Sequence, residues 1–257
     1  MLPPPAEIAV LLRPIHRLLD GALGAGVEAP AGDCYVDPAR DTPFPSSSGN
    51  QLRGLGSAAA PTAEQVREWV ARYRQAGMQR CFAAIHPGPF AAAAAEVLAA
   101  HGFTPFKGTS YPTLARRLDD LPHATCPFSI TVHARQPPTA VAPALDQLYG
   151  DAKWRKACTI PGVTWVLASA AQQVVAATML LQVQECAYLS HAQTLESHRR
   201  QGAQRALIAT RLALARDAGC TIALVETLAR CKESLRNLRH SGFVESYAKQ
   251  VLVLTLT

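Results

Sequence analysis

The sequence predicts a mixed α/β fold built as two lobes of similar length, and three observations carry that expectation. Short apolar runs of strand character alternate with longer segments whose apolar residues recur at helical spacing. A joint rich in proline and charge, Asp119 to Phe128, divides the 257 residues near their middle, giving lobes 1–124 and 125–257. Finally, "LAAHGFTPFKGTSYPTLARRL" and "LRHSGFVESYAKQVLVLTL" both read as helix, Gly-Phe, then strand, each after an earlier strand and a longer helix. The halves therefore look like distant copies of one unit, although a helix ending at glycine before a strand is a common arrangement.

In the first half, "EIAVLLRPIHRLLDGAL" is expected to be helical around a kink at Pro14. "DPARDTPFPSSSGN", Asp37 to Asn50, has the Pro, Ser and Gly content of a loop. In "PTAEQVREWVARYRQAG", Thr62 and Gln65 have the spacing of a capping box, and Val66, Trp69, Val70 and Tyr73 share one helical face. The apolar "QRCFAAIHP" reads as a buried strand. "AAAAAEVLAAHGF" reads as a helix that stops at Gly102.

The second half opens with a strand, Ile130 to Arg135, and a helix broken by Pro143. "VTWVLASAAQQVVAATMLLQV" joins two apolar runs through a short polar turn, which is a hairpin pattern. A third strand, "AYLSHAQTL", leads into "ESHRRQGAQRAL" and a helix from about Gly202 to Ala218. The strand "CTIALVET", the helix "CKESLRNLRHSGF" and the closing strand "QVLVLTLT" follow, and that last strand would be open to pairing with another chain if left on an edge.

Composition narrows the function classes. With 49% apolar and 17% charged residues the chain reads as globular, and its 19 prolines imply interrupted elements. No apolar stretch approaches the roughly 20 residues of a membrane span. Glu7 and Arg13 interrupt the N-terminal run where a signal peptide needs an unbroken apolar region, so a cytoplasmic protein is expected. The seven cysteines are odd in number and never spaced C-x-x-C, which favours neither a disulfide framework nor a metal site. The net charge of +6 favours an anionic partner, yet the basic residues form no block and have no interleaved aromatics. A polyanionic small molecule fits that charge better than nucleic acid.

"RRQGAQ", Arg199 to Gln204, follows a strand and opens a helix. Backbone N–H groups at such a start lack intrahelical partners, and the helix dipole is positive there, so the turn can hold an anion. Gly202 removes the Cβ that would block a diphosphate, and Arg199 and Arg200 add charge. Ala203, Ala206, Leu207 and Leu214 share a face that can pack on the sheet. The alternative is a plain strand-to-helix loop with solvated arginines.

This segment resembles motif A of the GNAT superfamily of acyl-CoA N-acyltransferases, Arg/Gln-x-x-Gly-x-Gly/Ala after the fourth strand. Arg199, Gly202 and Gln204 fall on its three positions, the last a departure because Gln replaces a small residue. The resemblance covers residues 128 to 257, and "SLRNLRHSGF" is similar to the family's next helix. It implies a GNAT fold in tandem, with a complete C-terminal domain after a reduced N-terminal copy. "SGNQLRGLGSAAAPTAEQ" is similar to the strand, turn and helix of the same unit. Its "GLGSAA" matches G-x-G-x-x-A, but Pro61 and the Thr62 cap start the helix too late for a dinucleotide site, and no basic residue stands where a phosphate turn needs one. The N-terminal copy is therefore expected to be structural.

The resemblance further implies acetyl-CoA as cofactor and acetyl transfer to the primary amine of a small molecule or peptide by direct attack. Cofactor contacts would come from Ala192, Gln193 and Thr194 on the strand, from Arg199, Arg200, Gln201, Gly202, Ala203, Gln204 and Arg205 at the turn, and from Asn237. Asn237 has packing as its alternative. The family's tyrosine acid corresponds to Leu238 and its carboxylate base to Tyr188, so neither stands in its usual place. A CoA-contacting asparagine is replaced by Cys231. Tyr188 and Ser190 are the catalytic candidates, on one strand face with Thr194 by period-two alternation, while His191 points away unless a bulge re-aims it. "YGDAKWRKACTIPG" is expected to wall the acceptor pocket, with Tyr149 or Trp154 as an aromatic face or as core. No metal is expected, nor a nucleic-acid or membrane partner, and the chain is expected as a monomer or homodimer. A non-catalytic acyl-CoA-binding module is the rival reading.

Overall fold

A computed structural model of the chain describes residues 1–23, 25–38, 50–108, 110–150 and 153–256. Residues 39–49 of the loop expected at Asp37 to Asn50 lie outside the described residues. The chain forms two compact units. One holds Pro3–Thr113, Thr227–Arg230 and Ser246–Thr257; the other holds Met1–Leu2, Leu114–Glu226 and Cys231–Glu245. We call them the N-terminal and C-terminal units.

The N-terminal unit begins with α1 (Pro5–Leu23), which continues through Pro14 and buries Ile8, Leu12, Ile15 and Leu19, a helical stripe. The antiparallel hairpin β1 (Ala25–Ala29) and β2 (Gly32–Val36) follows, in a stretch for which the sequence analysis assigns no element. Two charged groups tie α1 to this region. Asp33, on β2, accepts from both Arg13 and Arg17 at 3.0 and 2.9 Å, and Arg53 pairs with Asp20 at 2.6 Å with both side chains 1% exposed.

β3 (Gln51–Leu55) pairs antiparallel with β2 and parallel with β4 (Arg80–Ile85). Between them lies α2 (Ala63–Gln75). The expected capping box is present: Thr62 Oγ1 accepts from the Gln65 amide at 3.2 Å, and Gln65 Oε1 accepts from the Thr62 amide at 2.9 Å. Val66, Trp69, Val70 and Tyr73 are all buried and join Leu52, Leu55, Cys81, Ile85, Leu98 and Phe103 in one core. α3 (Ala91–Ala100) then leads to the two-residue β5 (Thr104–Pro105) and to β6 (Tyr111–Arg117). In "GLGSAA", Gly56 packs its backbone against the β4–α3 turn, where an added Cβ would lie 2.8 Å from the His86 carbonyl oxygen.

The C-terminal unit contains β7 (Ser129–Ala134), α4 (Ala142–Tyr149), α5 (Lys153–Ala157), β8 (Val163–Ala170), β9 (Gln173–Val183), β10 (Cys186–Thr194), α6 (Ala203–Asp217), β11 (Ile222–Glu226), α7 (Lys232–His240) and the first residues of β12 (Val244–Thr255). Strands β7, β8, β9 and β10 form an antiparallel run, and β10 then pairs parallel with β11. Pro143 occupies the first turn of α4 rather than breaking a helix, as expected where a missing N–H costs nothing. α6 and α7 cover one sheet face, and their apolar residues, Ile208, Leu212, Leu235 and Leu238 among them, pack with Leu180 and Leu189.

The closing strand does not lie on an edge. β12 pairs antiparallel with β4 from Gln250↔Ile85 to Thr255↔Arg80, inside the N-terminal unit. In the C-terminal unit the strand beside β11 is β6, from the end of the first half. Ser246–Thr257, which falls in the second half of the sequence, belongs to the N-terminal unit. Both halves end in the same helix, Gly-Phe, strand pattern, and that pattern cannot say which sheet receives which strand. No described helix is long and apolar enough to cross a membrane.

Candidate active site

The turn before α6 is built from left-handed backbone. Arg200 has φ +65° and Gly202 φ +84°, and between the end of β10 and Arg199 the chain makes one 3-10 turn, Glu196–His198. Glycine is required at 202 twice over: the torsion disfavours a side chain, and a Cβ would lie 3.1 Å from the Thr125 carbonyl oxygen. No side chain caps α6. Among the described residues the amides from Arg200 to Arg205 have no acceptor outside the helix itself. Arg199, Arg200, Gln201 and Arg205 are exposed around this start, while Ala203 is buried beneath it. Arg199 lies 4.0 Å from Glu196, an exposed pair of little energetic weight.

The strand before the turn carries a bulge. Ser190 faces Met179 and Gln193 faces Ala177, so His191 and Ala192 together oppose Thr178, and His191 has φ +52°. The extra residue reverses the alternation beyond it. Tyr188, Ser190 and Gln193 therefore share one face, and Thr194, which faces Ala176, lies on the other. The period-two grouping of Thr194 with Tyr188 and Ser190 fails for that reason. The bulge also re-aims His191: its ring lies 6.2 Å from Tyr149 and 6.5 Å from Trp165, and its Nδ1 is 2.8 Å from Ser190 Oγ.

β10 and β11 are in register only from Cys186↔Ile222 to Tyr188↔Leu224. At that limit the buried Tyr188 phenol donates to Glu226 Oε2 at 3.2 Å. Glu226 ends β11 and, in a parallel pair, lies on the same face as Leu224 and Tyr188. No motif in the sequence points to this carboxylate. Its one signal is an acidic residue closing the otherwise apolar strand "CTIALVET".

Two donors hold the bulge, Arg211 buried and Tyr149 half-buried. Arg211, on the core face of α6, donates to the carbonyls of Leu207 and Met179 at 3.1 Å and of Ser190 at 3.5 Å. It has no acidic partner among the described residues, and burial pulls its guanidinium down to about 9, which still leaves it charged at neutral pH. Tyr149, from α4, donates its phenol proton to the His191 carbonyl at 2.5 Å, and burial pushes that phenol's pKa far up. Trp154, the other aromatic candidate, is core: it is 3% exposed, and its Nε1 donates to Asp146 at 2.7 Å. Asp151 and Ala152 of that segment lie outside the described residues.

The structure is similar to that of a GCN5-related N-acetyltransferase from Kribbella flavida, with a TM-score of 0.66 and 19% identity over 97% of this chain and 95% of that one. It is also similar to a tandem GNAT protein from the clavulanic acid biosynthesis pathway, with a TM-score of 0.62 and 13% identity over 80% of this chain and 74% of that one. A GCN5-related N-acetyltransferase from Sphaerobacter thermophilus aligns with a TM-score of 0.56 and 16% identity, over 74% of this chain and 65% of that one. The chain has the GNAT fold. No protein-family model matches the sequence, nor does any curated protein.

Within the GNAT fold, the departures from the family's motifs have local reasons. Gln204, where the motif has a small residue, accepts from Asn237 Nδ2 at 2.7 Å and donates to Ser234 Oγ at 3.2 Å, so it ties the start of α6 to α7. Asn237 is thereby engaged by Gln204. Leu238 is 3% exposed in the core under α7, and Cys231 is exposed at the start of α7 without capping it. Among the described residues no group of three or more His, Cys, Asp or Glu side chains could hold a metal ion.

Proposed function

We propose that the chain is an N-acetyltransferase that transfers an acetyl group from acetyl-CoA to a primary amine of a small molecule or peptide. The observation that carries this reading is the conjunction, within one unit, of an uncapped left-handed turn at α6 with a bulged β10 whose pairing with β11 stops at Tyr188. A diphosphate fits the first feature. Amides of Arg200 to Arg205 offer donors without acceptors among the described residues, and Arg199, Arg200 and Arg205 supply charge. A pantetheine arm fits the second, pairing with the backbone of Ala192, Gln193 and Thr194.

Acetyl-CoA supplies an activated acyl carbonyl for attack by the amine. The residues of this chain bind, orient and move protons. Glu226 takes the proton lost by the amine, Tyr188 gives its phenol proton to the departing group, and the proton held on Glu226 then restores the phenol across their hydrogen bond. Ser190 and His191, hydrogen-bonded beside them, orient the acceptor.

A non-catalytic acyl-CoA-binding module is the second reading, favoured by the burial of Leu238 where the family often has its tyrosine acid. A panel of amines tested for amine-dependent CoA release separates the two. Release with any amine supports the enzyme; tight acetyl-CoA binding with no release on the whole panel supports the module.

A further inference from the structure

We propose that Arg211 and Tyr149 are positioning residues that clamp the β10 bulge from two elements and strengthen its amides as hydrogen-bond donors. The inference rests on the acetyltransferase reading for its catalytic consequence, but its geometry stands apart from it.

A peptide group joins the carbonyl of one residue to the amide of the next. Arg211 holds the Ser190 carbonyl, whose peptide ends in the His191 amide, and Tyr149 holds the His191 carbonyl, whose peptide ends in the Ala192 amide. A donor at the carbonyl end polarises the peptide and makes its N–H a better donor, an effect that grows where the surroundings are of low dielectric. Arg211 is buried and carries its charge there, and Tyr149 is half-buried with its phenol turned inward onto the carbonyl. The two polarised amides are those of the bulge, over which the ladder with β9 passes without matching either residue.

The cost of this arrangement argues that it has a use. A guanidinium in a core face with only carbonyl partners is expensive, and an apolar side chain at that helical position would pack beside Leu207, Ile208 and Leu212 without that cost. What an apolar residue would not do is fix the Ser190 and Met179 carbonyls. Nor would phenylalanine at 149 hold the His191 carbonyl, although its ring would keep the edge contact with Trp165.

The test uses the full chain with Tyr149→Phe, Arg211→Lys and Arg211→Met. Backbone amide resonances, thermal melting, acetyl-CoA affinity and, with an accepted amine, kcat and KM are measured together. Tyr149→Phe keeps the ring and is the variant chosen to stay folded. The expected result is an upfield shift of the Ala192 amide proton in folded Tyr149→Phe, with acetyl-CoA affinity changed less than about 3-fold and kcat lowered by roughly 10-fold, a fraction of the loss on removing an oxyanion donor outright. Arg211→Lys keeps more of kcat than Arg211→Met. An unmoved Ala192 amide in folded Tyr149→Phe overturns the clamp, and so does a parental kcat in that variant. If the parent neither binds acetyl-CoA nor turns over while the amide shifts as expected, the clamp stands and the acetyltransferase reading falls.

Discussion

Tyr188 and Glu226 meet through a 3.2 Å hydrogen bond at the point where β10 and β11 cease to pair. A phenol and a carboxylate so joined can exchange a proton without moving. In the proposed reaction this pair takes the roles of the acid and base that the motif positions lack.

Removing the carboxylate charge tests that role. Glu226→Gln is expected to lower amine-dependent turnover by about 10²- to 10⁴-fold, the usual contribution of a general acid or base, while leaving acetyl-CoA affinity within a few fold. Tyr188→Phe is expected to lower kcat as well, with the larger effect where proton delivery to the departing group limits. Steady-state kinetics beside calorimetry checks both. A Glu226→Gln enzyme at parental kcat would remove this carboxylate from the mechanism.

The link between Gln204 and Asn237 is expected to act as one unit. Alanine at either position breaks the same 2.7 Å hydrogen bond, so the double variant should cost less than the sum of the single ones. Thermal unfolding of the four proteins should give a coupling of roughly 0.5–1.5 kcal/mol. Each single variant should also weaken acetyl-CoA binding modestly, since α6 loses a tether at its first turn. Additive losses would mean that the two side chains do not act together.

Asp33 sets an acid limit for the N-terminal unit. Burial alone raises its carboxyl pKa, but hydrogen bonds from Arg17 and Arg13 bring the net value below the ordinary range. A carboxylate lowered in the folded state contributes its stability fully above the unfolded value, about 3.9, and loses it as pH falls through the lower folded value. Melting temperature measured from about pH 5 down to about pH 2 should therefore fall more steeply in the parent than in Asp33→Asn, which should be the less stable protein at neutral pH. Parallel curves would contradict this assignment.

Much of the fold was legible because local signals and tertiary packing agreed. Thr62, Gln65 and the Val66, Trp69, Val70, Tyr73 face all stand as the pattern requires, and the β8–β9 hairpin turns at Ala171 and Gln172, where both φ angles are positive. The β1–β2 hairpin was not legible, because "AGVEA" and "GDCYV" are only five residues each and neither alternates cleanly between apolar and polar. At the site, the turn at Gly202 could be read from spacing, since helix-start chemistry is local. The bulge could not, because alternation assumes a period that one inserted residue breaks, and with it went the faces of Thr194 and His191. Glu226 was missed because its partner is on another strand. Arg211 was missed because an arginine in "ATRLALAR" reads as solvated, although it stands one helical turn after Leu207 and therefore faces inward.

Calorimetric titration of acetyl-CoA into the parent and into Gly202→Glu, with melting curves to show that both are folded, tests the central claim most directly. Glutamate at 202 would put a carboxylate where the diphosphate is proposed to sit and a Cβ against the Thr125 carbonyl. The expected result is binding by the parent and at least a 10-fold loss in a folded variant, as displacing a phosphate from a helix N-terminus requires. A folded parent that does not bind acetyl-CoA, or a folded variant that binds it equally well, would contradict the account.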